Sequence, residues 1–398
     1  MFDALKRLPT DPILGLIAKF QNDPNPNKID LGVGVYKDSS GQTPVLQAVK
    51  RAEQQLLAEE QSKAYLGPLG NQNFNNNLAE LALGDTHPLL HDRRLAILQT
   101  PGGCGALRVG AELAMRAQPA ARVWVSDPTW ANHIPLLGDA GLEIATYPYY
   151  QCPGNAINFP AMLDKLHNEA RCGDLLLLHA FCHNPSGADL EPEHWDELTE
   201  LVLLKGMLPF VDMAYQGLGL GLEEDAAGLR LMAGRVPEML LAISCSKNFG
   251  LYRERVGAIA AITVTPAAAE TAVTNLMQIA RGIYSMPPAH GAAVVECILS
   301  NPALTALWQT ELTAMRDRLL WVRTRIGERL AALGLADRFD FIDRQHGMFS
   351  FLGIGPTQVT RLADHYSIYM TDDSRMSISG LNENNIDYFC GALKSVVD

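Results

Sequence analysis

Six short apolar runs recur along the middle of the sequence, at residues 95–99, 123–126, 175–179, 208–212, 240–244 and 257–263. Several are apolar at successive positions rather than at alternate ones, so both faces of each strand must be buried. Longer stretches of helical periodicity, such as 105–116 and 194–204, lie between them. Strands covered on both sides and alternating with helices predict a doubly wound α/β domain around a parallel sheet. From residue 302 the pattern changes. A long amphipathic helix is expected over 304–333, with Arg and Glu on its polar face. Strands then follow at 339–342 and 348–352, a helix near 357–365, strands at 368–370 and 376–379, and a last helix from 383. That is a smaller α+β domain. The first thirty residues hold Pro9, Pro12, Pro24 and Pro26 and read as an extended arm broken by a short helix around 13–20.

Bulk properties remove several function classes. A formal net charge of -12 repels a phosphate backbone and argues against nucleic acid as a partner. The seven cysteines, at 104, 152, 172, 182, 245, 297 and 390, are odd in number and contain no C-x-x-C pair. That speaks against a disulfide framework or a metal site and for a reducing compartment. The most apolar short run, Leu175 to Leu178, is far below the ~20 residues that span a bilayer. The first residues lack the apolar stretch of a signal peptide. A cytoplasmic protein without a membrane partner is expected.

Four strand ends carry chemistry. Thr100-Pro101-Gly102-Gly103-Cys104-Gly105 follows an apolar run and opens a helix. Its bare backbone N–H groups and the helix N-terminus suit an anion, and equally a tight strand-to-helix turn. Asp212 ends a strand, where α/β sheets bind ligands and where helix caps also occur. Lys247 lies just beyond the run 240–244. A desolvated lysine there can be neutral and form a Schiff base. Ser244 and Ser246 offer hydroxyls, and Arg255 offers a fixed positive charge for phosphate.

Together these segments resemble the class I, fold type I aminotransferases over essentially the whole length, and within them the aspartate and aromatic-amino-acid group. The resemblance is carried by Asp11-Pro12-Ile13-Leu14-Gly15-Leu16, Gly32-Val33-Gly34-Val35-Tyr36-Lys37-Asp38, the Gly102 loop, Asp127-Pro128-Thr129-Trp130, Cys182-His183-Asn184-Pro185-Ser186-Gly187, Asp212-Met213-Ala214-Tyr215, Ser246-Lys247-Asn248-Phe249, Glu254-Arg255-Val256-Gly257 and Gly347-Met348-Phe349-Ser350, in order. It implies a large domain (45–314) with a mostly parallel seven-stranded sheet, a small domain made of 13–44 and 315–398, and an N-terminal arm over 1–12. It implies pyridoxal 5′-phosphate as cofactor and a homodimer with shared active sites.

The resemblance also implies roles. Lys247 would hold the cofactor covalently and, once freed, shuttle a proton. Asp212 would pair with the ring nitrogen, Tyr215 and Asn184 would hydrogen-bond the phenolic oxygen, and Trp130 would stack on the ring. Gly103, Cys104, Ser244, Ser246 and Arg255 would surround the phosphate, with Tyr65 reaching the phosphate of a neighbouring subunit. His133 and His179 would stand behind the ring. Arg375, assisted by Asn184 and Gly34, would grip the substrate α-carboxylate, and Arg281 would read a distal carboxylate from the partner subunit. Three positions depart from the family's pattern: Cys104 replaces a hydroxyl residue, Met286 replaces Asn or Ser, and Asp372-Asp373 precede Arg375 where small or neutral residues are usual. Those carboxylates would either weaken the pull of Arg375 or face solvent. The segments 127–130, 147–150 and 374–376 look closer to the aromatic enzymes. The expected reaction moves an amino group from an aromatic amino acid (Phe, Tyr, Trp) or aspartate to 2-oxoglutarate. The alternatives are a strict aspartate aminotransferase, a lyase using the same cofactor, and a catalytically silent binding protein.

Overall fold

The structure, a computed structural model, describes residues 1–7, 12–151 and 154–398. Residues 8–11 of the expected arm, with Pro9 and Asp11, and also Cys152, lie outside the described residues. The expected short helix runs over Pro12–Asn22.

Seven strands form the central sheet: β1 (Leu95–Pro101), β2 (Arg122–Asp127), β3 (Glu143–Pro148), β4 (Leu175–His179), β5 (Leu208–Met213), β6 (Met239–Ser244) and β7 (Val256–Ile262). Their spatial order is β1-β7-β6-β5-β4-β2-β3. All neighbours run parallel except β7, which is antiparallel to both β1 and β6. Along β4 the side chains alternate between two cores. Leu175 and Leu177 join Phe210 and Leu240 on one face, while Leu176 and Leu178 join Val211 and Leu241 on the other. This is the period-two geometry of a strand with both faces covered. Each leucine so buried contributes on the order of 2 kcal/mol.

The expected long helix spans Pro302–Ala332 and is capped by the Asn301 side chain, which accepts from the N–H groups of Ala303 and Leu304. Its buried stripe, Trp308, Leu312, Met315, Leu319, Val322, Ile326 and Leu330, recurs every three or four residues. Ile29–Asp30 pairs parallel with Ile368–Tyr369, so the N-terminal segment joins the C-terminal region. Phe349–Phe351 pairs antiparallel with Arg375–Ser377.

Two expectations fail here. Residues 339–342 are not a strand; two short helices, Ala336–Phe339 and Phe341–Arg344, occupy this stretch. Phe339, Phe341 and Ile342 are all buried, and a four-residue apolar pattern is too short to separate a strand from a helical turn. The strand expected at 376–379 ends at Ser377, and a 3-10 turn over Ile378–Gly380 follows.

Candidate active site

Because β7 runs opposite to its neighbours, its first residues lie at the same sheet edge as the C-terminal ends of the parallel strands. That edge therefore collects Asp212 on β5, Lys247 beyond β6, Asn184 beyond β4, Trp130 and His133 beyond β2, Gly103 and Cys104 after β1, and Arg255 just before β7. A cavity of about 250 Å³ opens there. Gly34, Gly103, Cys104, Trp130, Asn184, Asp212, Tyr215, Ser244, Ser246, Lys247, Arg255 and Arg375 all line it.

The Lys247 ammonium lies 4.6 Å from the centre of the Tyr215 ring. Burial pulls the lysine below its ordinary pKa, against the opposing charge of Asp212. For Asp212, burial works to raise the pKa, but hydrogen bonding and charge from His133 hold the carboxyl below the usual range. Burial likewise raises Tyr215, so its hydroxyl keeps its proton.

Behind Asp212 the polar groups form a directed chain. The Asn184 N–H donates to His179 Nδ1 at 3.2 Å. Burial, followed by His133, depresses His179 to about 3, so it is neutral and its proton sits on Nε2. That N–H points to Thr129 Oγ1 at 3.5 Å. Thr129 Oγ1 is hydrogen-bonded to His133 Nδ1 at 2.8 Å, and His133 Nε2 donates to the ionised Asp212 Oδ2 at 3.1 Å. The strand register sets this up, since His179 pairs directly with Asp212 across β4 and β5.

At the other end of the cavity is an anion cradle. Gly102 has φ +69°, and a Cβ on it would stand 2.6 Å from Arg255 Nη2. Only glycine allows that approach. The Ser244 and Ser246 hydroxyls lie 3.1 Å apart, and Arg255 Nη1 reaches Ser246 Oγ at 3.4 Å. The helix Gly102–Ala117 begins here with its first N–H groups uncapped by any side chain. Hydroxyls, a guanidinium and a helix N-terminus together suit a phosphate. Cys104 lines the cavity, and its sulfur is 3.9 Å from Asn132 Nδ2.

Arg375 is 7 % exposed, stacks 4.7 Å over the Phe349 ring and donates to the Gly32 carbonyl at 2.7 Å. Among the described residues its buried Nε has no hydrogen-bond partner, nor has Asn184 Oδ1. An orphan donor and an orphan acceptor on cavity-lining residues fit a ligand that carries a carboxylate and a hydroxyl or N–H. Among the described residues, Asp373 forms no ion pair with the guanidinium, although its charge acts on it. Its carboxylate accepts from the backbone N–H of Arg375 at 3.1 Å and from the Thr371 hydroxyl, closing the turn in which Ser374 has φ +68°.

Two expected residues stay outside this cavity in their own chain. Tyr65 is 92 % exposed. Arg281 ends the helix Pro266–Ile283, is exposed, and donates to the hydroxyl of Ser285. Ser285 thus supplies the hydrogen bond that Met286 cannot. The cavity adds groups without a role in the sequence pattern: Ile13, Leu107, Phe181, Tyr252 and Phe349 in the wall, and Thr129 behind it. Phe349 and Thr129 sat inside quoted segments, whereas Phe181 and Leu107 carried no local signal.

The sequence matches the family "Aminotransferase class I and II" over residues 26–393. It is 45 % identical to the aromatic-amino-acid aminotransferase of Pseudomonas aeruginosa, covering 99 % of this chain and 98 % of that one. It is also 45 % identical to the aspartate aminotransferase of Escherichia coli, covering all of both. Among solved structures, an aromatic-amino-acid aminotransferase from Burkholderia pseudomallei, covalently bound to pyridoxal phosphate, superposes with a TM-score of 0.98 at 40 % identity over the full length of both chains.

Proposed function

The chain belongs to the class I and II aminotransferases, and from that premise we propose that its amino donors are aromatic amino acids and aspartate, with 2-oxoglutarate as acceptor. It is a pyridoxal-phosphate-dependent transaminase. The observation that carries the chemistry is the buried amine of Lys247 over Tyr215, beside an Asp212 kept ionised by His133.

Pyridoxal phosphate, when bound, supplies the electron sink that makes loss of the substrate Cα proton feasible. The residues do the rest. The Gly102 loop, Ser244, Ser246 and Arg255 would hold the phosphate. Asp212, ionised, would pair with a protonated ring nitrogen, and the directed chain through His133 keeps it acceptor-only. Tyr215, protonated, would donate to the phenolic oxygen with Asn184 beside it. Arg375 would grip the α-carboxylate with two parallel hydrogen bonds and so place the Cα proton within reach of Lys247. Lys247 Nζ would take that proton as the general base and hold it as an ammonium beside Tyr215.

The aromatic preference draws on the wall of Ile13, Leu107, Trp130 and Phe349, which can accept a ring. The Escherichia coli relative favours a second reading, a strict aspartate aminotransferase. Arg281 and Tyr65 enter only if two chains share their sites, so a homodimer is part of the proposal. So are a cytoplasmic location and a division into an arm (1–12), a small domain (13–44 and 315–398) and a large domain (45–314). The test is kcat/KM for phenylalanine and for aspartate with 2-oxoglutarate. Comparable values support dual use, and phenylalanine turnover at background level rejects it. Pyruvate and ammonia as main products would instead point to a lyase. A purified protein that takes up no cofactor would point to a silent binder.

A further inference from the structure

Tyr252 lies in the turn between Lys247 and β7 and lines the active-site cavity. Its backbone carbonyl accepts from Arg255 Nη1 at 3.0 Å, which steadies the guanidinium at the phosphate cradle. Its side chain bonds to a distant part of the chain. The phenolic oxygen accepts the backbone N–H of Tyr36 at 2.8 Å. Burial raises the phenol above its ordinary pKa, so it stays neutral.

The segment that makes this bond, residues 31–36, is neither helix nor strand. Its place is therefore set by the hydrogen bonds it forms with other parts of the chain. The Leu31 N–H donates to the Tyr369 carbonyl, and the Leu31 carbonyl accepts from the Ser377 N–H. The Val35 carbonyl accepts from the Ser379 hydroxyl at 2.7 Å. These bonds tie the segment to the C-terminal region. Tyr36 ties it instead to the loop that follows Lys247. Between these anchors, the Gly32 carbonyl accepts from Arg375 Nη2 at 2.7 Å. Gly34 lies so close to Phe349 that a Cβ on it would stand 3.0 Å from the ring. With Nη2 held at Gly32 and the ring of Phe349 beneath it, the plane of the Arg375 guanidinium is set from two sides.

We infer that Tyr252 is a positioning residue for substrate binding: its bond to the Tyr36 N–H holds segment 31–36 at the sheet edge and, through Gly32, fixes the plane in which Arg375 meets a carboxylate. The inference rests on the reading of Arg375 as the carboxylate grip. Arg255 is served by the backbone carbonyl of Tyr252, which a side-chain substitution leaves in place. Experiment can therefore separate the carboxylate end of the cavity from the phosphate end.

Two substitutions test it. Tyr252→Phe keeps the ring and removes the acceptor. Ser379→Ala loosens the same segment from a position that does not line the cavity. The holoenzymes are titrated with maleate and 3-phenylpropionate, carboxylates that carry no amine, and cofactor absorbance is followed. Both variants should bind maleate about fivefold or more weakly than the parent, the worth of one neutral hydrogen bond. In Tyr252→Phe, KM for the amino acid should rise by a similar factor, while kcat and the dissociation constant for pyridoxal phosphate stay within about twofold. Parent-like affinity for maleate in Tyr252→Phe overturns the inference. The same result in Ser379→Ala alone also overturns it, because Tyr252 would then act by touching the carboxylate itself. A kcat loss as large as the rise in KM, or an equal weakening of cofactor binding, overturns it too. A parent that binds neither carboxylate defeats the reading of Arg375 and this inference with it.

Discussion

His133 Nε2 stands 3.1 Å from Asp212 Oδ2, and the proton between them belongs to the histidine. The assignment follows from Asp212 itself, which is held below the usual carboxyl range and as a carboxylate can only accept. The carboxylate stays an acceptor, as the proposed pairing with a cofactor ring nitrogen requires.

Thr129→Val tests that wiring without touching the cavity. It removes both hydrogen bonds of the hydroxyl, of which the shorter, to His133, is worth about 1 kcal/mol, and frees His133 to turn. The half-reaction with an amino acid, followed by cofactor absorbance, should slow roughly fivefold. Asp212→Asn removes the charge itself and should slow it by about 10²–10³. Equal losses in the two variants would mean that Thr129 does more than orient His133.

Arg375→Lys keeps the charge but loses the planar fork and the stack on Phe349. Two charge-assisted hydrogen bonds become one, so KM for the amino acid should rise about 10–100-fold. The stability midpoint should stay close to that of the parent. The comparison is steady-state kinetics beside a urea titration.

The central strands were readable because burial on both faces writes an uninterrupted apolar run, as in Leu175 to Leu178. The sheet-edge residues were readable because each follows such a run by a few positions. The failures have a physical cause too. At 339–342, Phe-Asp-Phe-Ile alternates like a strand, but the packing against the long helix sets a helical turn. Phe181 meets Gly219, and Thr129 meets His179 besides the nearby His133; both distant partners lie more than thirty residues away in sequence, and no local pattern encodes those contacts.

Arg323 is 1 % exposed and, among the described residues, forms no ion pair with a carboxylate. Its guanidinium donates to the carbonyls of Ile342, His346, Gly347 and Phe349 and to the Ser350 hydroxyl. It thus holds the segment that carries Phe349, on which Arg375 stacks. Arg323→Met would orphan several buried carbonyls at once and should cost about 3–5 kcal/mol, read as a lower urea midpoint. Because Phe349 would lose its anchor, the surviving folded enzyme should also show a raised KM.

Lys247 makes the last case, one in which function opposes stability. Burial lowers its pKa below the ordinary 10.5 in the folded protein without cofactor, so the unfolded chain binds its proton more tightly. Between the folded pKa and 10.5 the unfolded state therefore carries the extra proton, and stability rises with pH across that window. At lower pH the folded state must keep a buried ammonium, whose desolvation is only partly offset by Asp212. Lys247→Met removes this cost with little change of volume. The cofactor-free variant should be more stable than the parent at neutral pH by about 1 kcal/mol. Its advantage should shrink as pH rises toward 10.5, and urea midpoints of both proteins across pH measure it. A parent as stable as the variant throughout would mean that Lys247 is not strained in the empty site. The amine proposed to hold the cofactor would then need its lowered pKa from another source than the fold.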